Sequence, residues 1–161
     1  MRHDAFPGQV CSVARSLEIF GEWWTLLIVR EAFFGTERFS DFEANLGISK
    51  NILAERLNKL VEAEILYRTQ LTGRGNPIRY RLTDGGRDLL PVIIALMQWG
   101  DRWVNRRRAP VRVIERETGR EVARLAVTAS DGKALSARDL EVVPGPGATD
   151  AIRKRFGKRS P

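Results

Sequence analysis

Between Leu46 and Lys50, in the stretch LGISKNILAERLNKL (46–60), the chain ends one amphipathic helix and immediately starts another. Leu46 closes an apolar pattern, Gly47 breaks it, and Ser49 is placed to cap the second helix. A turn this short sets its two helices at a steep angle, so one braces while the other projects. Upstream, spacing predicts helices over 12–20 (through Val13, Leu17 and Phe20), 22–34 and 39–46. The segment 22–34, EWWTLLIVREAFF, is apolar on almost every side and is expected to be the most buried. Ser40 with Glu43 three residues later reads as a capping box for 39–46. The projecting helix runs from Ser49 to about Ala63.

Then the period drops to two. ILYRTQL (65–71) and IRYRLT (78–83) read as strands, joined by the Gly- and Pro-containing TGRGNP (72–77). A longer helix is expected over 84–106, with Pro91 kinking it or marking its effective start. The order helix, helix, helix–turn–helix, hairpin predicts a mainly α fold with a β-hairpin wing, that is, a winged helix-turn-helix. The expected division is 1–108 for this domain, including its dimerisation helices, and 109–147 for a small β-rich extension. A basic tail over 148–161 is expected to be disordered.

The charge agrees with such a fold. With 27 basic and 20 acidic residues the chain carries +7, which favours polyanions. The longest apolar run, LLPVIIALM (89–97), is too short to span a bilayer. The N-terminus lacks the apolar core of a secretory signal, and a single cysteine forms no internal disulfide, so a cytoplasmic location is expected. One histidine, no glycine-rich phosphate loop and no acidic cluster argue against an enzyme, and no cofactor is expected.

On the projecting helix Leu53, Leu57 and Leu60 form an inward stripe, with Val61 at its edge. Asn51, Glu55 and Asn58 face outward, flanked by Ala54 and Lys59. Asn pairs bidentately with adenine, Glu accepts from cytosine, and Ala meets a thymine methyl. Ser49 and Lys50 at the helix start suit phosphate, whereas Arg56 beside the leucines is expected in an internal ion pair or on phosphate. Arg68, Arg79 and Arg81 are expected on the strand faces opposite Tyr67, Ile78, Tyr80 and Leu82, with Arg74 reaching a minor groove from the tip. The candidate set for double-stranded DNA is therefore Arg38, Ser40, Ser49, Lys50, Asn51, Ala54, Glu55, Asn58, Lys59, Arg74, Asn76 and Arg79.

Cys11, GEWWTLLIVR (21–30), RFSDF (38–42), GISKNILAERL (47–57), YRLT (80–83) and WG (99–100) occur in this order along the chain. Together these motifs resemble the HxlR family of bacterial transcriptional regulators. The resemblance spans Cys11 to about Gly100 and implies a homodimer, paired through the N-terminal helix and the helix after the wing, that binds operator DNA. Independently, Leu89, Ile93, Leu96, Gly100 and Trp103 follow the heptad spacing of a helix seam. The candidate interface is Leu17, Leu89, Ile93, Leu96, Trp99 and Trp103.

Some relatives in this family use a cysteine near Cys11 as a redox or electrophile sensor, and a thiol at a helix start suits that chemistry. The bland alternative is a small buried residue near the interface. A switch would need the partner's thiol or a small one. Similar extensions in some relatives carry paired cysteines resembling a zinc ribbon. Residues 111–150 contain none, so no metal is expected. Other readings are a repressor responding to a small molecule in an interface pocket, and a module for non-specific nucleic-acid or protein binding. A membrane partner is not expected.

Overall fold

The computed structural model describes residues 11–70 and 78–156. They divide into two compact units, with the boundary after Val122.

The first unit begins with α1 (Ser12–Phe20), α2 (Trp23–Phe33), α3 (Phe39–Leu46) and α4 (Lys50–Glu62). Strands β1 (Leu66–Gln70) and β2 (Ile78–Leu82) follow, then α5 (Asp84–Arg87) and α6 (Leu90–Trp103). α2 is the central element, burying Thr25, Ile28, Val29 and Glu31. Around Ile28 and Val29 gather Phe42 of α3, Leu53, Leu57 and Leu60 of α4, Leu66 and Tyr80 of the hairpin and Ile93 of α6. Phe42 and Tyr80 meet edge to face, their centroids 6.5 Å apart. One stripe of each amphipathic element thus supplies a single core.

α3 ends at Gly47, whose φ of 63° is left-handed, and the Gly47 N–H donates to the Glu43 carbonyl at 2.9 Å. A side chain there would be strained, so the glycine is what permits α4 to start three residues later, at Lys50. Ser49 holds the expected N-cap position, but its side chain makes no capping bond. Ser40 is not a cap. Arg38 takes that position because it is already extended, bridging Arg79 of β2, and the Ser40 hydroxyl instead donates to Asp41 at 3.1 Å. The Tyr80 N–H donates to the Glu37 carbonyl at 2.8 Å, so residues 37–38 extend the hairpin beyond β2.

The hairpin register pairs Tyr67 with Arg81 and Arg68 with Tyr80. Directly paired residues share a face. Tyr67 therefore lies with the arginines, and Arg68 lies on the apolar side, the reverse of the sequence expectation for both. The long helix expected over 84–106 is two helices. Thr83 caps α5 by accepting from the Gly86 N–H at 2.9 Å, and α6 starts at Leu90 with Pro91 in its first turn. Gly86 is required where it stands, since an added Cβ would lie 2.2 Å from the Ile65 carbonyl oxygen.

Among the described residues past Pro110 the extended segments meet at single bridges, Ile114 with Glu121 and Thr128 with Ala134. The first belongs to the compact unit of α6, where the Val122 N–H also donates to the Val113 carbonyl at 3.0 Å. That placement moves the boundary beyond residue 109. The second unit carries a short 3-10 turn (Ala137–Asp139) and α7 (Asp150–Phe156), so part of the basic tail is helical. Among the described residues no helix is long and apolar enough to cross a membrane.

Candidate nucleic-acid interface

α4 is anchored by one face and presents the other. Leu53, Leu57 and Leu60 are fully buried, which fixes the helix rotation. Ser49, Lys50, Asn51, Glu55 and Asn58 are consequently exposed, while Ala54 and Lys59 are half-buried at the margins. Ile52 is exposed between them, an apolar contact of the kind a thymine methyl accepts, and one that the polar pattern did not reveal.

Two outward residues are already engaged. Glu55 accepts from Arg56 at 3.1 Å, and Arg56 also pairs with Glu22 at 3.2 Å. With its side chain only 13% exposed, Arg56 ties α4 to the start of α2. Asn58 accepts through its carbonyl oxygen from Arg68, whose guanidinium lies 5.9 Å from the Tyr80 ring centroid. The Asn58 amide is thereby oriented by the wing strand, which fixes which of its atoms faces away.

The arginines on the other wing face converge on one carboxylate. Glu37 accepts from Arg81 Nε at 2.7 Å and from Arg79 at 2.9 Å. The Arg81 bond, followed by that of Arg79, holds the Glu37 carboxyl below its ordinary value of 4.5, against a counter-push from desolvation. Arg79 is thus a clamped residue rather than an open phosphate contact. Nothing in the apolar pattern indicated this, although two arginines on one strand face call for an acid nearby. Because the folded value is depressed, the stabilising contribution is full above 4.5 and is lost as pH falls through the lower folded value. In acid, the protection of the Tyr80 amide relative to its intrinsic exchange rate is expected to hold to below pH 4.5 and then to fall. Loss of that protection well above pH 4.5 would contradict the clamp.

Arg38 and Ser40 are exposed at the start of α3. Arg74 and Asn76, assigned to the wing tip, lie outside the described residues. Cys11 occupies the N-cap of α1, where its exposed sulfur accepts from the Ala14 N–H at 3.4 Å. Of the proposed interface residues, Ile93 is 4% exposed and Leu89 packs on the same core, so both serve the chain's own interior. The seam pattern ran together a buried and an exposed stripe of α6. Leu17, Leu96, Trp99 and Trp103 are exposed, as is Val13.

Residues 19–108 match the HxlR-like helix-turn-helix family. The chain belongs to that family. An uncharacterized HTH-type transcriptional regulator of Mycobacterium tuberculosis is 41% identical to this HxlR-like chain over 143 residues, covering 88% of the chain and 89% of the relative. The crystal structure of PA1607, described as a candidate transcription factor, superposes with a TM-score of 0.78 at 43% identity, covering 86% of this chain and 97% of that one. The reduced form of the redox regulator HypR superposes with a TM-score of 0.54 at 25% identity, over 60% of this chain and 99% of that one. This HxlR-like protein is a DNA-binding transcriptional regulator with a winged helix-turn-helix.

Proposed function

We propose that the protein works as a homodimer that sets α4 of each protomer into successive major grooves of an operator, with the wing against the neighbouring backbone or minor groove. The observation that carries this reading is the row Ser49, Lys50, Asn51, Glu55 and Asn58, exposed on a helix whose opposite face is fully buried. Lys50 stands at the helix start, where phosphate contact supplies affinity, and Asn51 follows it toward the base edges. Exposed Leu17, Leu96, Trp99 and Trp103 supply an apolar face for the partner. Two-fold pairing calls for half-sites about 10 bp apart or a multiple of that. A cytoplasmic location and an absence of enzymatic activity belong to the same reading.

The test is an anisotropy titration against DNA upstream of the protein's own gene, with unrelated duplex as competitor. Asn51→Ala is expected to cost about 1–3 kcal/mol on the operator and to relax sequence preference there. Lys50→Ala should weaken all sequences alike and reduce the salt slope by about 1. If neither variant changes the titration, α4 is not the reading element.

A second reading is favoured by the exposed Cys11 sulfur at the end of α1 that also exposes Val13 and Leu17, and by the likeness to a redox regulator. Cys11 thiols of two protomers would lose two protons and two electrons to a disulfide oxidant, forming one inter-protomer disulfide. Treatment with diamide, which takes up those electrons and protons, is expected to give a dimer on a non-reducing gel, reversed by dithiothreitol and absent in Cys11→Ser. A monomer band after diamide would remove this reading.

A further inference from the structure

We infer that a cleft between the C-terminal ends of α2 and α6 is a binding site for a small aromatic carboxylate, with Arg30 as its anion anchor. The cleft encloses about 360 Å³, within the range of small-molecule sites. Its walls are mostly apolar: Phe34 of the α2 end, Leu96 and Met97 of α6, and Val111 of the returning chain. Polar groups enter at few points, which is the composition of a site that buries a ring and orients it by one charged end.

Arg30 is the group that identifies the ligand. One of its terminal nitrogens donates to Glu31 at 2.8 Å, and its guanidinium lies 5.8 Å from the Phe34 ring centroid. Its Nε–H is shielded from water and has no acceptor, a state it shares with the Nε–H groups of Arg56 and Arg79. What sets Arg30 apart is its place in the wall of the cleft. A buried donor without a partner is uncommon and calls for an explanation. A carboxylate entering beside Phe34 would pair with the part of the guanidinium that Glu31 leaves open, the Arg30 side chain being 33% exposed. Asp101, the acid on the opposite wall, accepts from Asn105 at 3.1 Å, so the anion belongs on the α2 side.

The opening is also built by the backbone. After α6 the Val104 and Asn105 N–H groups both donate to the Gly100 carbonyl, at 2.8 and 2.9 Å. Arg106 and Arg107 then adopt left-handed φ values of 50° and 67°, conformations that non-glycine residues hold only where the surroundings impose them. This reversal returns Pro110 and Val111 to the cleft. Gly100 keeps the space open, since a Cβ there would meet nothing within 4 Å. Occupancy would link α2, the centre of the DNA-reading unit, with α6. The inference goes beyond operator binding, and its test contains no DNA, so neither result depends on the other.

The test titrates benzoate into the isotope-labelled full chain and follows the amides by NMR, with benzylamine as the same ring bearing the opposite charge. The expected result is a saturable shift centred on Arg30, Phe34, Met97 and Asn105 with benzoate and none with benzylamine. Arg30→Gln should weaken benzoate at least 10-fold, and Gly100→Leu, which fills the space without removing the anchor, should abolish binding. Should Arg30→Gln fail to fold, Gly100→Leu alone decides. No saturable shift, equal binding of the two probes, or a folded variant that binds benzoate as the parent does would overturn the inference.

Discussion

Glu31→Ala is expected to lower the unfolding free energy by about 2–3 kcal/mol, the cost of removing a buried acceptor from several donors at once. The Glu31 carboxylate is buried on α2 and accepts from Arg30 at 2.8 Å, from Asn45 of α3 at 3.1 Å and from the Thr36 hydroxyl at 3.2 Å. Asn45 also donates to Thr36 at 3.2 Å, closing a ring that joins α2, the connecting loop and α3. Truncation leaves Arg30 without its acceptor and strands two polar groups. Glu31→Gln keeps an acceptor and forfeits the charge, so its loss should be smaller, about 1 kcal/mol. Urea denaturation of the two variants measures the difference. Equal and negligible losses would mean that the ring contributes nothing to holding the brace helix.

Trp99→Glu is expected to dissociate the proposed dimer. Trp99 is 59% exposed in the single chain, so the protomer should keep its fold and its melting temperature nearly unchanged. In an isologous contact the substitution occurs twice and places two carboxylates where two large apolar rings were. Interface tryptophans that anchor a contact cost about 2 kcal/mol or more each when removed. Two such losses weaken association by about 1,000-fold, since about 1.4 kcal/mol is a factor of ten. Sedimentation should then report a monomer at micromolar concentration, and operator affinity should fall by about 100-fold or more as one half-site is lost. A variant that sediments and binds DNA like the parent would place the dimer elsewhere on the surface.

The order of helices and the hairpin was legible because each depends on local signals. Gly47 stops α3, Leu53, Leu57 and Leu60 repeat at helical spacing, and alternation over β1 and β2 marks the wing. Features that depend on tertiary pairing were not legible. Ser40 has the composition of a cap, yet the bridge from Arg38 to Arg79 puts the cap two residues earlier. Alternation places side chains on two faces but does not say which face is inward, and Tyr67 and Arg68 were therefore exchanged. The chain separation between Glu37 and its two arginines puts their clamp beyond any local pattern. On α4 the exposed row came out as expected because burial of the opposite stripe determines it.

The left-handed Gly47 joins two helices whose inward residues, Phe42 on one side and Leu53, Leu57 and Leu60 on the other, belong to one core. α4 cannot pivot at this elbow without unpacking that core, so the chain holds the proposed reading helix as a fixed tooth. In the proposed homodimer, a signal that switches the protein would then act on the pitch between two such teeth. Moving them apart or rotating them out of phase by a few ångströms would abolish the match to a two-fold operator, with every contact inside each protomer unchanged.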